Sequence, residues 1–145
     1  MNNQQPSILK IIWVDFWAMV SAIFLFIVPV MYLYFTYVDG HLSENLIWTV
    51  LGLLAISIFG LASRYISIVS LYNSGLEAKA TISEISFFRD RGYIKYIYSF
   101  QGQKYASQMR VMKNKITTRY EIGNEVDVIV DRGNPKKSII KDLFV

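Results

Sequence analysis

FWAMVSAIFLFIVPVMYLYFTYV (Phe16–Val38) runs for 23 residues without a charge, and Asn45 to Ser63 repeats the pattern over 19 residues. At about 1.5 Å of rise per residue, the first stretch makes a helix of about 34 Å, enough to cross a hydrocarbon core of about 30 Å with some tilt. Asp-Gly-His-Leu-Ser-Glu (39–44) separates the two, so the spans must return on each other as an antiparallel hairpin. A buried helix of a soluble domain explains one such run. It does not explain two in a chain of 145 residues with so little left to cover them. A cleaved signal peptide is a poor account of the first run. Only Lys10 precedes it, its apolar length exceeds the roughly 7–15 residues of a signal core, and bulky Tyr32–Tyr37 occupies the place of a cleavage site.

Outward from the hairpin, the chain is two materials joined near residue 64. The overall charge of +4 splits into −2 for residues 1–63 and +6 for residues 64–145. The 53% hydrophobic content is therefore concentrated in the spans. Lys10 lies before the first span, the connecting turn has no Lys or Arg, and Arg64 and Lys79 follow the second. That asymmetry predicts both termini in the cytoplasm, with the 39–44 turn outside. Trp13, Trp17 and Tyr65 at one face, and Tyr34, Tyr37 and Trp48 at the other, agree with those boundaries.

The first helix is expected over about 12–38 and the second over about 45–72, ending at Asn73-Ser74-Gly75 with Gly75 as a C-terminal cap. Pro29 removes one backbone bond inside the first and predicts a kink. Asp15 suits a helix N-terminus, with Lys10 as its only cation nearby in sequence. Arg64 is expected to snorkel to the inner headgroups. Small residues Ala18 and Ala22, with Gly52, Ala55 and Ala62, mark helix-packing faces, serving the hairpin itself or association with another membrane protein.

After residue 75 the period changes to that of strands. Glu77–Phe88, Tyr93–Phe100, Gln103–Val111, Glu125–Val130 and Ser138–Lys141 alternate apolar with polar positions. Turns are expected at Arg89–Gly92, Gln101-Gly102 and Asp131–Pro135, and an irregular or single helical turn at Lys113–Tyr120. The fold class is α+β: a two-helix transmembrane hairpin (residues 1–75) followed by a small antiparallel five-stranded sheet or partly open barrel (residues 76–145), its core completed by the attached helix end.

Three stretches of this second part carry a resemblance: Gly75–Ile82, the aromatic hairpin Tyr96–Tyr105, and Tyr120–Asp131 followed by Asn134-Pro135 and Ser138. The chain resembles a bacterial membrane protein family of unknown function with a helical hairpin and a small C-terminal β domain. The family pattern has Tyr-Asp-Pro or similar before the Asn-Pro turn, where this chain has Val130-Asp131-Arg132-Gly133. The resemblance implies no catalytic group. Its motif reads as turn chemistry, with Gly123 at a positive φ and Pro135 fixing a turn.

No enzyme constellation is found. There is no cysteine, one histidine (His41), no phosphate loop and no serine-hydrolase or zinc-protease motif. Glu121, Glu125, Asp127 and Asp131 are close in sequence and fit the solvated face of a strand better than a metal or acid–base pair. No cofactor or metal is expected. The unusual feature is residues 89–119, where Arg89, Arg91, Lys95, Lys104, Arg110, Lys113, Lys115 and Arg119 oppose one acid, Asp90. A solvated surface, contact with anionic lipids, or contact with an acidic protein all fit. Nucleic acid fits less well, because alternating aromatics are the mark of a β core more than of a stacking platform. The expected role is that of a membrane-anchored interaction or accessory protein, not an enzyme. It would contact the lipid bilayer and a protein partner or a second copy of itself. An immunity or exclusion protein against a membrane-acting toxin or phage is the alternative. A small enzyme or transporter component is disfavoured, since no ionisable residue lies deep in either span.

Overall fold

The computed structural model describes residues 6–38 and 44–144. The chain opens with a short helix, α1 (Ile8–Val14), and continues with two long ones, α2 (Phe16–Val38) and α3 (Glu44–Ser74). Five strands follow: β1 (Leu76–Phe88), β2 (Arg91–Phe100), β3 (Gln103–Met112), β4 (Glu125–Val130) and β5 (Ser138–Ile140). Most of the polar turn 39–44, including His41, lies outside the described residues. Both long helices have the length and apolarity to cross a membrane, by length and composition, and their outer faces carry exposed Phe26, Val30, Ile56 and Phe59.

The helices pack antiparallel. Asp15 meets Arg64 and Ser21 faces Gly60, so residue numbers rise on one helix as they fall on the other. Ala18, Ala22, Val28 and Ser57 are buried. Ala18 and Ala22 thus lie on a packing face, as expected. Gly52, Ala55 and Ala62 do not pack within the hairpin: all three are exposed. At about 100° per residue they lie some 140–200° round α3 from Ser57, on the face turned away from α2. Gly60, absent from the sequence-based set, is the small residue at the close approach.

Two helix ends differ from expectation. A single helix over about 12–38 is predicted, but the chain breaks at Asp15, whose backbone is extended (φ −84, ψ 121). The break lets α1 turn onto the β domain, where Ile11 and Val14 are fully buried in its core. Helix α3 ends at Ser74 as expected. Gly75 is not the left-handed cap, since Gly102 and Gly123 are the glycines with positive φ among the described residues. It is needed for close approach: a Cβ there would come within 2.3 Å of an Ile129 methyl and 2.5 Å of the Leu71 carbonyl.

The strands form one antiparallel sheet in the order β3-β2-β1-β4-β5. Gln101 and Gly102 both take positive φ (52 and 80), the backbone of a tight two-residue hairpin. Gly123 takes φ 91, as its motif predicts. A register shift in β1 between Ile82 and Glu84 bends the strand, a device that curls sheets. The curl brings the ends of the sheet together: Tyr96 on β2 donates across the interior to the Ser138 carbonyl on β5 (2.9 Å). The result is a partly open barrel. Its core runs through Ile82, Ile94, Tyr96, Val128, Ile140 and Phe144, and extends to Ile68 and Leu71 of α3. Both helix ends thus belong to the core of the β domain, which a sheet this small requires for an adequate core. The 113–120 segment contains the single turn expected, a 3-10 helix at Thr117–Arg119.

Candidate functional site at the base of the helical hairpin

Asp15 organises the junction. Its carboxylate accepts from the Ala18 amide (3.0 Å), capping α2, while its own amide closes α1 on Ile11 (2.9 Å). Its backbone bridges Val111, covering the edge of β3. The other carboxylate oxygen accepts from Arg64 Nη2 (2.6 Å) and Nε (2.9 Å). Lys10 is the nearest cation to Asp15 in sequence, but the pair formed with Asp15 includes Arg64, because the antiparallel hairpin folds residue 64 back to residue 15. Arg64 is accordingly half-buried in a pair with fully buried Asp15 and does not snorkel away.

Around this junction the structure sorts the basic residues. Lys95 is held by Glu84 (2.7 Å), and the Lys95 ammonium, with the Tyr93 hydroxyl, keeps the Glu84 carboxyl below its ordinary value. Lys104 lies at the far end of the β2–β3 hairpin. Lys113, Lys115 and Arg119 are exposed on the connection to β4 and line no cleft described below. Arg89, Arg91 and Arg110 gather at the base of α2. Arg89 lies over the Phe88 ring (5.4 Å) and Arg110 over the Trp17 ring (6.0 Å). Arg91 and Arg110 share a cleft of about 380 Å³ with Phe16, Phe88, Tyr93 and Gln108.

A larger cleft, of about 490 Å³, opens on the other side of Trp17 and Arg110. It lies where the end strands β3 and β5 face each other across the open seam of the barrel, with α3 passing over them. Arg64, Arg110, Lys136 and Lys137 supply cations, Ser67 and Asn134 supply neutral donors, and no carboxylate lines it. Sequence reading missed Lys136 and Lys137, which fall between the expected Asp131–Pro135 turn and the last strand. The available signal was two adjacent lysines directly after a rigid Asn-Pro turn.

That turn is firmly built. Asp131 Oδ1 accepts from the amides of Gly133 (2.9 Å) and Asn134 (3.4 Å), and the Asn134 carbonyl accepts from the Lys137 amide (2.8 Å). The Tyr98 hydroxyl donates to the Pro135 carbonyl and Tyr96 to Ser138, so the aromatic stripe of β2 positions the lysine pair. The carboxylates suspected of chemistry are employed otherwise. Asp127 pairs with Lys79 (2.6 Å), Asp131 holds its turn, and among the described residues no three His, Asp or Glu side chains converge on a metal position. Chemically, this site offers fixed cations and donors to an anion.

Residues 78–144 match the model of a family described as a domain of unknown function (DUF3592). The match covers the β domain from Ala78, the third residue of β1, to Phe144 and includes the Gly123 and Asn134-Pro135 turns of the motif that carried the resemblance. Neither a curated protein nor a solved structure matches the chain.

Proposed function

We propose that this chain is a membrane-anchored, non-catalytic accessory protein, whose hairpin presents the β domain and its basic face at a fixed height on the membrane surface. One observation carries the reading. Helices α1 and α3 both enter the β-domain core, and Asp15 and Arg64 lock the junction. A domain held this way is a rigid platform and not a tethered one. Beyond Arg64, α3 continues for ten more residues, about 15 Å of helix, which sets the height. The Lys/Arg asymmetry around the spans supports both termini in the cytoplasm, and the resemblance to a bacterial membrane family supports a bacterial inner membrane.

The test is cross-linking in native membranes followed by purification through a tag after Val145. Recovery of a defined protein partner, or of a cross-linked second copy, is the expected result. Recovery of lipid alone overturns the accessory role. A reporter fused at the same place and active only outside the cytoplasm overturns the orientation.

A further inference from the structure

The cleft at the barrel seam does not stand alone. Through Ser67 and Lys137 it is continuous with a groove of about 470 Å³ on the outward face of α3, walled by Phe59, Ala62, Ile66 and Ser70. Phe59 and Ile66 are 75% and 63% exposed, so this wall is apolar and faces away from the hairpin. An apolar groove along a spanning helix therefore leads directly into a cationic cleft at the end of the span. From these observations we propose that the seam cleft is a binding site for one anionic phospholipid. The phosphate headgroup lies among Lys136, Lys137 and Arg110, and an acyl chain lies along Phe59, Ala62 and Ile66.

The geometry matches the molecule at both ends. Arg64 marks the end of the uncharged span of α3, and Ser67 lies one turn beyond it, at headgroup depth. Arg64 is neutralised by Asp15, so the free positive charge of the cleft comes from Lys136, Lys137 and Arg110; among the described residues none of these three has a carboxylate partner. Arg110 offers a planar fork suited to phosphate oxygens, and its stack on Trp17 orients it. Tyr96 and Tyr98 pin the backbone on both sides of the lysine pair from inside the barrel. Ala62, small and exposed, leaves the acyl groove open. The occupant is a phospholipid and not a soluble anion, because half of the site is apolar and lies within the span. The proposal rests on the membrane-spanning reading of α2 and α3, and does not depend on the accessory role.

Native mass spectrometry of the full chain in detergent, with phosphatidylglycerol or phosphatidylcholine added, tests it. Two basic residues at a membrane surface correspond to about 30-fold in affinity. The wild-type chain should retain one phosphatidylglycerol at least 10-fold more strongly than phosphatidylcholine. Lys136→Gln/Lys137→Gln should abolish that preference, while Lys113→Gln/Lys115→Gln, which removes equal charge elsewhere, should keep it. Ala62→Phe, which fills the groove on an exposed face, should weaken retention of the phospholipid with the lysines intact. Inorganic phosphate at millimolar concentration should leave the melting temperature unchanged. Equal retention of both lipids, equal loss in the two lysine variants, or stabilisation by phosphate as large as that by phosphatidylglycerol overturns the proposal. Unchanged melting temperatures in the variants show that folding is intact. The reporter fusion reads the membrane topology independently of lipid, so failure there and failure here are separable.

Discussion

At the scale of the residue, Asp15 has the largest set of consequences. Its backbone amide ends α1, while its side chain caps α2 and meets a cation 49 positions away. Removing one member of a buried ion pair leaves the other uncompensated, at a cost of about 3–5 kcal/mol. Arg64→Met, which leaves fully buried Asp15 unpaired, is therefore expected to lower the unfolding free energy in detergent micelles by that amount, and Asp15→Ala by somewhat less, since the Arg64 it leaves behind is partly exposed. The double variant should cost less than the sum of the singles, with a coupling of about 1–3 kcal/mol measured in a double-mutant cycle. Additive losses would mean that the two side chains do not act as a pair. An Asp before a long apolar run already signals a helix cap in the sequence. Its partner is not readable there, because only the folded hairpin brings residue 64 beside it. The same limit explains the small residues. Ala18 and Ala22 can be found by spacing, but which side of α3 meets them is decided by the turn and by the β domain, so Gly60 was passed over for Gly52, Ala55 and Ala62.

At the scale of the element, β2 links the core to the candidate site. Its inward residues Ile94, Tyr96, Tyr98 and Phe100 alternate strictly, and that alternation is sufficient to recognise the strand. The destination of the tyrosine hydroxyls is not, since it depends on the curl of the sheet. Burial pushes both Tyr96 and Tyr98 above the ordinary phenol value. A folded-state value above the unfolded one means that the stabilisation is complete below the unfolded value, about pH 10, and is lost as pH rises through the folded one. Deprotonation would also remove the donors that hold Pro135 and Ser138. The melting temperature should be flat from about pH 8 to 9 and fall above about pH 10. Tyr98→Phe should start about 1 kcal/mol less stable and fall less steeply. A Tyr98→Phe profile parallel to wild type would contradict the hydroxyl's role. Helix α1 is the element the sequence hid. Ile8, Ile11 and Val14 follow a helical spacing, but their continuity with the apolar span merges them into it until Asp15 breaks the helix.

At the scale of the whole molecule, the division into an apolar, slightly acidic hairpin and a basic β domain was visible from charge and hydropathy, and so was the α+β architecture. Half of the joint between the two was visible as well: the attached end of α3 is expected to complete the core and does, through Ile68 and Leu71, whereas the entry of α1 through Ile11 and Val14 is not readable. That shared core sets the basic clefts at the end of the two long helices and underlies both functional proposals. The chain has no cysteine, so spin labels can be placed at will. Ile56→Cys, on the outward face of α3, and Thr81→Cys, exposed on β1, report the distance between hairpin and β domain by double electron–electron resonance in lipid nanodiscs. A platform locked through Asp15, Arg64, Ile68 and Leu71 predicts one narrow distance distribution that broadens in Asp15→Ala. A broad distribution in the otherwise wild-type chain, as a flexible tether would give, would contradict the account.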